Sequence, residues 1–272
     1  MGKNKVMKWD EELAKAAEIA AGMEEGSTGA GQFLSTKSGI LSWQDESMPD
    51  NQVVVIIVDS ILENVYYDTE WDADKPQPPC CFAFNRKEKE LAPHKVVNEL
   101  SQSQNETCEG CQWNEFGTAD KGKGKACRNT RRLAMIPAGA LDSNGDLTMI
   151  EKEKHYETAS IGFMRLPVTS VKGYANYVTR LKDSLKRPPF GVVTRVYLEP
   201  DAKNQFKICF ESLANVPDNL MTVIMARNQE VQKTIEFSYQ LDFKETEKKK
   251  PLTAAKKKVD ATKKKKKSGR KF

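Results

Sequence analysis

Apolar residues along this chain gather in short runs and alternations. The densest run is the β-branched V-V-V-I-I-V of Val53–Val58, continuing to Ser60. An unbroken run of this kind marks a strand buried on both faces. A second extended segment, Ile61–Asp68, follows and carries Tyr66 and Tyr67. Upstream, F-L-S-T-K-S-G-I-L-S-W at Phe33–Trp43 has the look of a strand or hairpin edge with aromatics. Cys80–Phe84, Leu133–Ile136 and Gly162–Pro167 are further short strands, and Lys87–Asn105 has room for a short helix over Val96–Ser101. The D-S-N-G-D stretch at Asp142–Asp146 is a hairpin turn. It lacks the sixth-position Gly and the twelfth-position Glu of a calcium loop. Thr169–Lys186 repeats its apolar positions at helical spacing, with Tyr174, Tyr177, Val178, Leu181 and Leu185 on one stripe. R-P-P-F ends that helix. Two alternating strands follow, Gly191–Leu198 and Gln205–Leu213, joined at Pro200–Asn204, and a last helix is expected over Asp218–Val231. Many strands, one central helix and long insertions predict a mainly β fold with helices (α+β), built on a small OB-like β-barrel. An α+β sandwich is the rival.

The ends have a different composition. Residues 1–31 read as a flexible arm, with a weakly striped helix over Trp9–Met23 and the G-S-T-G-A-G link at Gly26–Gly31. Residues 244–272 carry fourteen Lys and Arg against three Asp and Glu, a like-charged, low-complexity tail expected to be disordered. The overall net charge is +5. The acidic balance therefore sits in the remainder, and any polyanion site on the folded part must be a local patch. The domain is expected to span 32–243. No apolar run approaches the ~20 residues that cross a bilayer, and the N-terminus has no signal-peptide segment. A cytoplasmic protein without membrane contact is expected.

Without a secretion signal, the six cysteines are not expected to form a disulfide framework. Cys108 and Cys111 form a C-x2-C knuckle, and Cys127 follows after fifteen residues. Such a knuckle presents two sulfurs to adjacent corners of a tetrahedral Zn2+, and four thiolates satisfy that ion structurally. The fourth ligand comes from Cys80 or Cys81, only one of which can point at the ion from an extended strand. His94 is a weaker alternative. A zinc subdomain around 80–132 is expected, with Cys209 a buried hydrophobe.

Just beyond the knuckle, Lys121, Lys123, Lys125, Arg128, Arg131 and Arg132 fall within twelve residues, beside Trp113 and Phe116. Cationic loops with aromatic platforms suit single-stranded nucleic acid: charges follow the phosphates and rings stack on unpaired bases. Trp43, Tyr67 and Trp71, set among polar residues, are further stacking candidates. The plainer reading is a solvated loop whose Trp covers the metal. With two histidines and no H-E-x-x-H or G-x-S-x-G motif, a non-enzyme is expected.

P-P-C-C-F-A (Pro78–Ala83), C-E-G-C-Q-W-N-E-F-G-T-A (Cys108–Ala119), G-K-G-K-A-C-R-N-T-R-R-L-A (Gly122–Ala134), L-P-V-T-S-V-K-G-Y-A-N-Y-V (Leu166–Val178) and R-P-P-F-G-V-V-T-R-V (Arg187–Val196) resemble phage-encoded, zinc-containing single-stranded DNA-binding proteins. The resemblance covers roughly 33–213. It implies an OB-like core, a structural zinc on Cys81, Cys108, Cys111 and Cys127, and sequence-independent coating of single strands in replication or recombination. If the chain is phage-encoded, the cytoplasm expected for it is the host cell's; replication proteins and further copies of the chain on DNA are candidate partners. RNA remains an open alternative to DNA. The poly-Lys end departs from the acidic tails with which many such proteins recruit partners. Two other functions stay open: a zinc-ribbon protein that regulates transcription or binds another protein, and a virion protein gripping packaged DNA.

Overall fold

The structure is a computed structural model and describes residues 33–44, 46–69, 77–120 and 122–239. The expected N-terminal arm and helix, the Lys-rich tail, Trp71 and Lys121 lie outside the described residues.

The architecture is mixed α+β, dominated by one large antiparallel sheet with few helices. A small hairpin, β1 (Ser42–Trp43) with β2 (Glu46–Ser47), precedes it. The sheet is organised by β3 (Gln52–Tyr66), whose Val54–Val58 and Ile61 are almost fully buried. The two extended segments expected here are one strand, bent where the ladder shifts register between Ile57 and Asp59. Along one side β3 pairs with β5 (Arg128–Leu141) over nearly its whole length. Along the other it pairs with β8 (Val192–Asp201) near its start and β4 (Cys81–Asn85) near its end. β8 continues to β9 (Gln205–Asn215), and β5 carries β6 (Leu147–Met149) and β7 (Gly162–Leu166) on its outer side. Among the described residues no pairing joins β9 to β6 or β7, so these strands do not close into a barrel.

Among the described residues the α-helices are α1 (Lys95–Glu99), α2 (Glu153–Thr158), α3 (Val168–Arg180) and α4 (Asp218–Thr234). A single π turn, Leu181–Leu185, continues α3. Tyr174, Tyr177 and Leu181 pack with Ile208, Phe210, Leu133, Met135 and Leu166 on one sheet face, so the helical stripe meets the apolar side of the strands. On the other face, α4 places Asn228 Nδ2 2.5 Å from the Val58 carbonyl. A short strap, Ile235–Tyr239, then crosses the sheet. α2 was not expected; its neighbours are polar, and Tyr156, fully buried, holds it down through a 2.6 Å bond to the Ile150 carbonyl. Among the described residues no helix is long and apolar enough to cross a membrane.

Candidate metal-binding cysteines and nucleic-acid interface

The end of β3 positions the cysteine segment. β4 begins at Cys81, opposite Tyr66, and β5 begins one residue after Cys127, with Arg128 opposite Val65. Cys81 and Cys127 therefore flank the last residues of β3. The knuckle sits beside them. Gly110 takes a left-handed φ of +73° with open space around its Cα, so the turn between Cys108 and Cys111 needs a residue without a β-carbon penalty. Cys108 N–H donates to the Leu91 carbonyl at 2.9 Å, Cys127 N–H to the Trp113 carbonyl at 2.8 Å, and Asn114 Nδ2 to the Cys108 carbonyl at 2.8 Å. Asn129 donates to both Asn64 and Asn114. The loop closes on itself through Gly117 N–H to the Gly124 carbonyl at 2.8 Å.

Cys81, Cys108, Cys111 and Cys127 line one small cavity with Tyr66, Phe82, Gln104 and Trp113; Cys80 and His94 do not. All six cysteines are free thiols. Burial, then the neighbouring sulfurs, pushes the Cys127 thiol to about 12. Burial likewise lifts Cys108 to about 11, against the pull of Asn64, and raises Cys81. Among the described residues no three His, Cys, Asp or Glu side chains are already set as a metal cage. The thiols line the cavity rather than closing on one point. The donor set, four sulfurs with no disulfide partner, has the count and softness that suit Zn2+. His94 is engaged elsewhere: its Nδ1 caps α1 by accepting from Val96 N–H, and its ring stacks on Phe82 at 5.1 Å.

The residues expected to touch nucleic acid separate into groups. Phe116 projects, 80% exposed, and Lys125 Nζ lies 5.1 Å over its ring while contacting Asn114 Oδ1 at 3.3 Å. Lys123 is exposed. Arg128 is exposed and stacks over Tyr67 at 5.5 Å. Trp113 is half-buried, stacked on Tyr66 at 4.9 Å, and its Nε1 donates to Gln104. It thus walls the cysteine cavity. Trp43 packs flat on Gly162, where a β-carbon would stand 2.3 Å from the indole. Gly162 pairs with Met135, seven residues along β5 from Arg128. That offset is roughly 20 Å of strand, which removes Trp43 from the loop.

Arg132 is a correction. It was expected on a phosphate-facing loop, but β5 starts at Arg128 and carries Arg132 into the sheet, where it is 1% exposed. Its Nη2 lies 2.6 Å from Oε1 of the fully buried Glu63, and its Nη1 donates to the Ile235 and Phe237 carbonyls at 3.0 Å. The rings of Phe84 and Phe237 sandwich it at 4.4 and 4.1 Å. A guanidinium so enclosed ties down the strap and cannot meet a strand of nucleic acid. Arg131 turns to the opposite face and stands 5.8 Å over Tyr174. It is half-buried against α3, which takes it too from the loop surface.

Glu63, Arg165 and Tyr239, absent from the expected site residues, complete the group around Arg132. Arg165 Nε approaches Glu63 Oε2 at 3.3 Å, and the Tyr239 hydroxyl bonds to both Glu63 and Arg165. The available signal was Glu63 itself, a carboxylate inside an apolar strand that demands a cationic partner. A wider groove of about 670 Å3 between α3 and the β8–β9 hairpin is lined by Arg180, Tyr197, Glu199, Lys207 and Glu211. There Lys207 pairs with Glu199 at 2.9 Å and Arg195 with Glu211 at 3.2 Å, leaving mixed charge. No protein-family model, no curated protein and no solved structure matches this chain.

Proposed function

We propose that this chain is a non-catalytic, sequence-independent single-stranded DNA-binding protein with a structural zinc. Cys81, Cys108, Cys111 and Cys127 would hold the ion, whose chemistry is to clamp thiolates and fix a loop. The protein's own residues do the binding. Lys123, Lys125 and Arg128 meet phosphates, and Phe116 and Tyr67 offer faces to bases. Lys121 and Trp71 belong to the same proposal by sequence alone. The observation that carries the reading is the juxtaposition of a four-thiol cavity with a self-bonded loop that exposes Phe116 under a lysine. An 80%-exposed phenylalanine has little to gain in water, but it gains by stacking on an unpaired base. The family resemblance extends the proposal to an OB-like core left open at its edges and to phage replication or recombination in the host cytoplasm, with replication proteins and further copies of the chain as partners.

Competition between unlabelled single- and double-stranded DNA for a bound, labelled oligonucleotide tests this. Single strands should displace the probe at much lower concentration and with little dependence on base sequence. Equal competition by duplex would overturn the proposal.

A further inference from the structure

The buried group around Glu63 carries a charge imbalance. Glu63 is one buried carboxylate facing two guanidiniums, Arg132 at 2.6 Å and Arg165 at 3.3 Å. Tyr239, bonded to Glu63 and Arg165, adds no charge as a phenol. One positive charge is therefore left over. Arg132 is sealed in, whereas the Arg165 side chain is 31% exposed, so the surplus reaches water there. A second guanidinium comes near: Arg128 is four residues before Arg132 and on the same face of β5. Its group stacks over Tyr67 at 5.5 Å, and the Tyr67 hydroxyl adjoins Arg165. Two arginines thus converge on one half-buried tyrosine.

We propose that Arg165, with Arg128 and the Tyr67 ring, forms a second phosphate-binding position, on the strap face of the sheet. This rests on the single-strand reading above. A phosphate here brings the Glu63 group to neutrality and uses the planar fork of a guanidinium already aligned by Glu63 and Tyr239. The neighbouring ring can receive a base.

The test is the salt dependence of oligo-dT binding by the full chain. Arg165→Gln leaves Glu63 and Arg132 matched one to one, so folding should survive. The slope of log K against log salt should shrink by about 0.7, the contribution of one phosphate on a single strand. Arg165→Lys should restore it. Arg180→Gln, an equal loss of charge on α3, should leave the slope unchanged. If Arg165→Gln does not fold, Arg165→Met, a neutral stem of similar reach beside the Tyr239 and Tyr67 rings, carries the same expectation. A parental slope in a folded Arg165→Gln or Arg165→Met chain, or an equal drop in Arg180→Gln, overturns this inference alone. Absence of binding by the parental chain overturns the proposed function with it.

Discussion

Phe116 and Trp113 lie three residues apart, and the structure gives them opposite consequences on removal. Phe116 is 80% exposed. Full burial of a Phe contributes about 1.5–3 kcal/mol, so the buried fifth is about 0.5 kcal/mol or less. The Lys125 contact over the ring adds about 0.5–1 kcal/mol at an exposed site. Phe116→Ala should therefore cost little more than about 1 kcal/mol of stability. If the ring stacks on a base, the variant loses about 1–3 kcal/mol of binding, roughly 5- to 150-fold in Kd. Trp113 is stacked on Tyr66 at 4.9 Å, bonded to Gln104, and forms a wall of the cysteine cavity. Trp113→Ala should lower stability by about 2–4 kcal/mol, somewhat below a fully buried aromatic. Its binding loss follows from the loosened loop. Anisotropy of a labelled oligonucleotide and urea unfolding, run on both variants, separate the two. Phe116→Ala binding within twofold of the parent, with the parent binding well, would refute the stacking assignment.

Three further outcomes follow from the core. Glu63→Gln leaves the 1%-exposed Arg132 guanidinium without a counter-charge and should cost about 3–5 kcal/mol in chemical unfolding; a loss below 1 kcal/mol would contradict the network. Gly162→Ala drives a β-carbon to 2.3 Å from the Trp43 indole. It should cost about 1–3 kcal/mol as overpacking and shift the tryptophan emission, and an unchanged spectrum and midpoint would argue against that contact. Burial raises Tyr156 and Tyr174 to about 12, above the ordinary phenol value near 10. Their neutral form is favoured by the fold, so this contribution is intact below about pH 10 and is lost as pH rises toward 12. Unfolding midpoints that stay level from pH 9 to 11.5 would contradict it.

The strands that the apolar pattern predicts are those whose neighbours bury them completely. β3 is the plainest, because Val54–Val58 face the core on both sides. α3 was equally visible, since Tyr174, Tyr177 and Leu181 meet the sheet at helical spacing. The cysteine spacing pointed to Cys108, Cys111 and Cys127, which line one cavity with Cys81, and Gly110 supplies the local turn; spacing alone left Cys80 and Cys81 undecided. The basic cluster was misleading for a physical reason. Local composition cannot tell a solvated arginine from one neutralised by a carboxylate 69 residues away, as Arg132 is by Glu63. R-N-T-R-R-L has loop-like polarity, yet it forms the first half of a strand because β3 and β7 pair with it on both sides. Barrel closure is likewise a property of long-range pairing, and nothing in the period of any single strand reveals it.

A thiol-held loop that carries single strands should reveal itself in one titration. The full chain is added to a fluorescent oligo-dT at low salt, with and without prior treatment by a strong zinc chelator. Saturable binding that weakens sharply after chelation and returns when zinc is restored is the result predicted. No binding in either arm, or binding indifferent to the chelator, would contradict it.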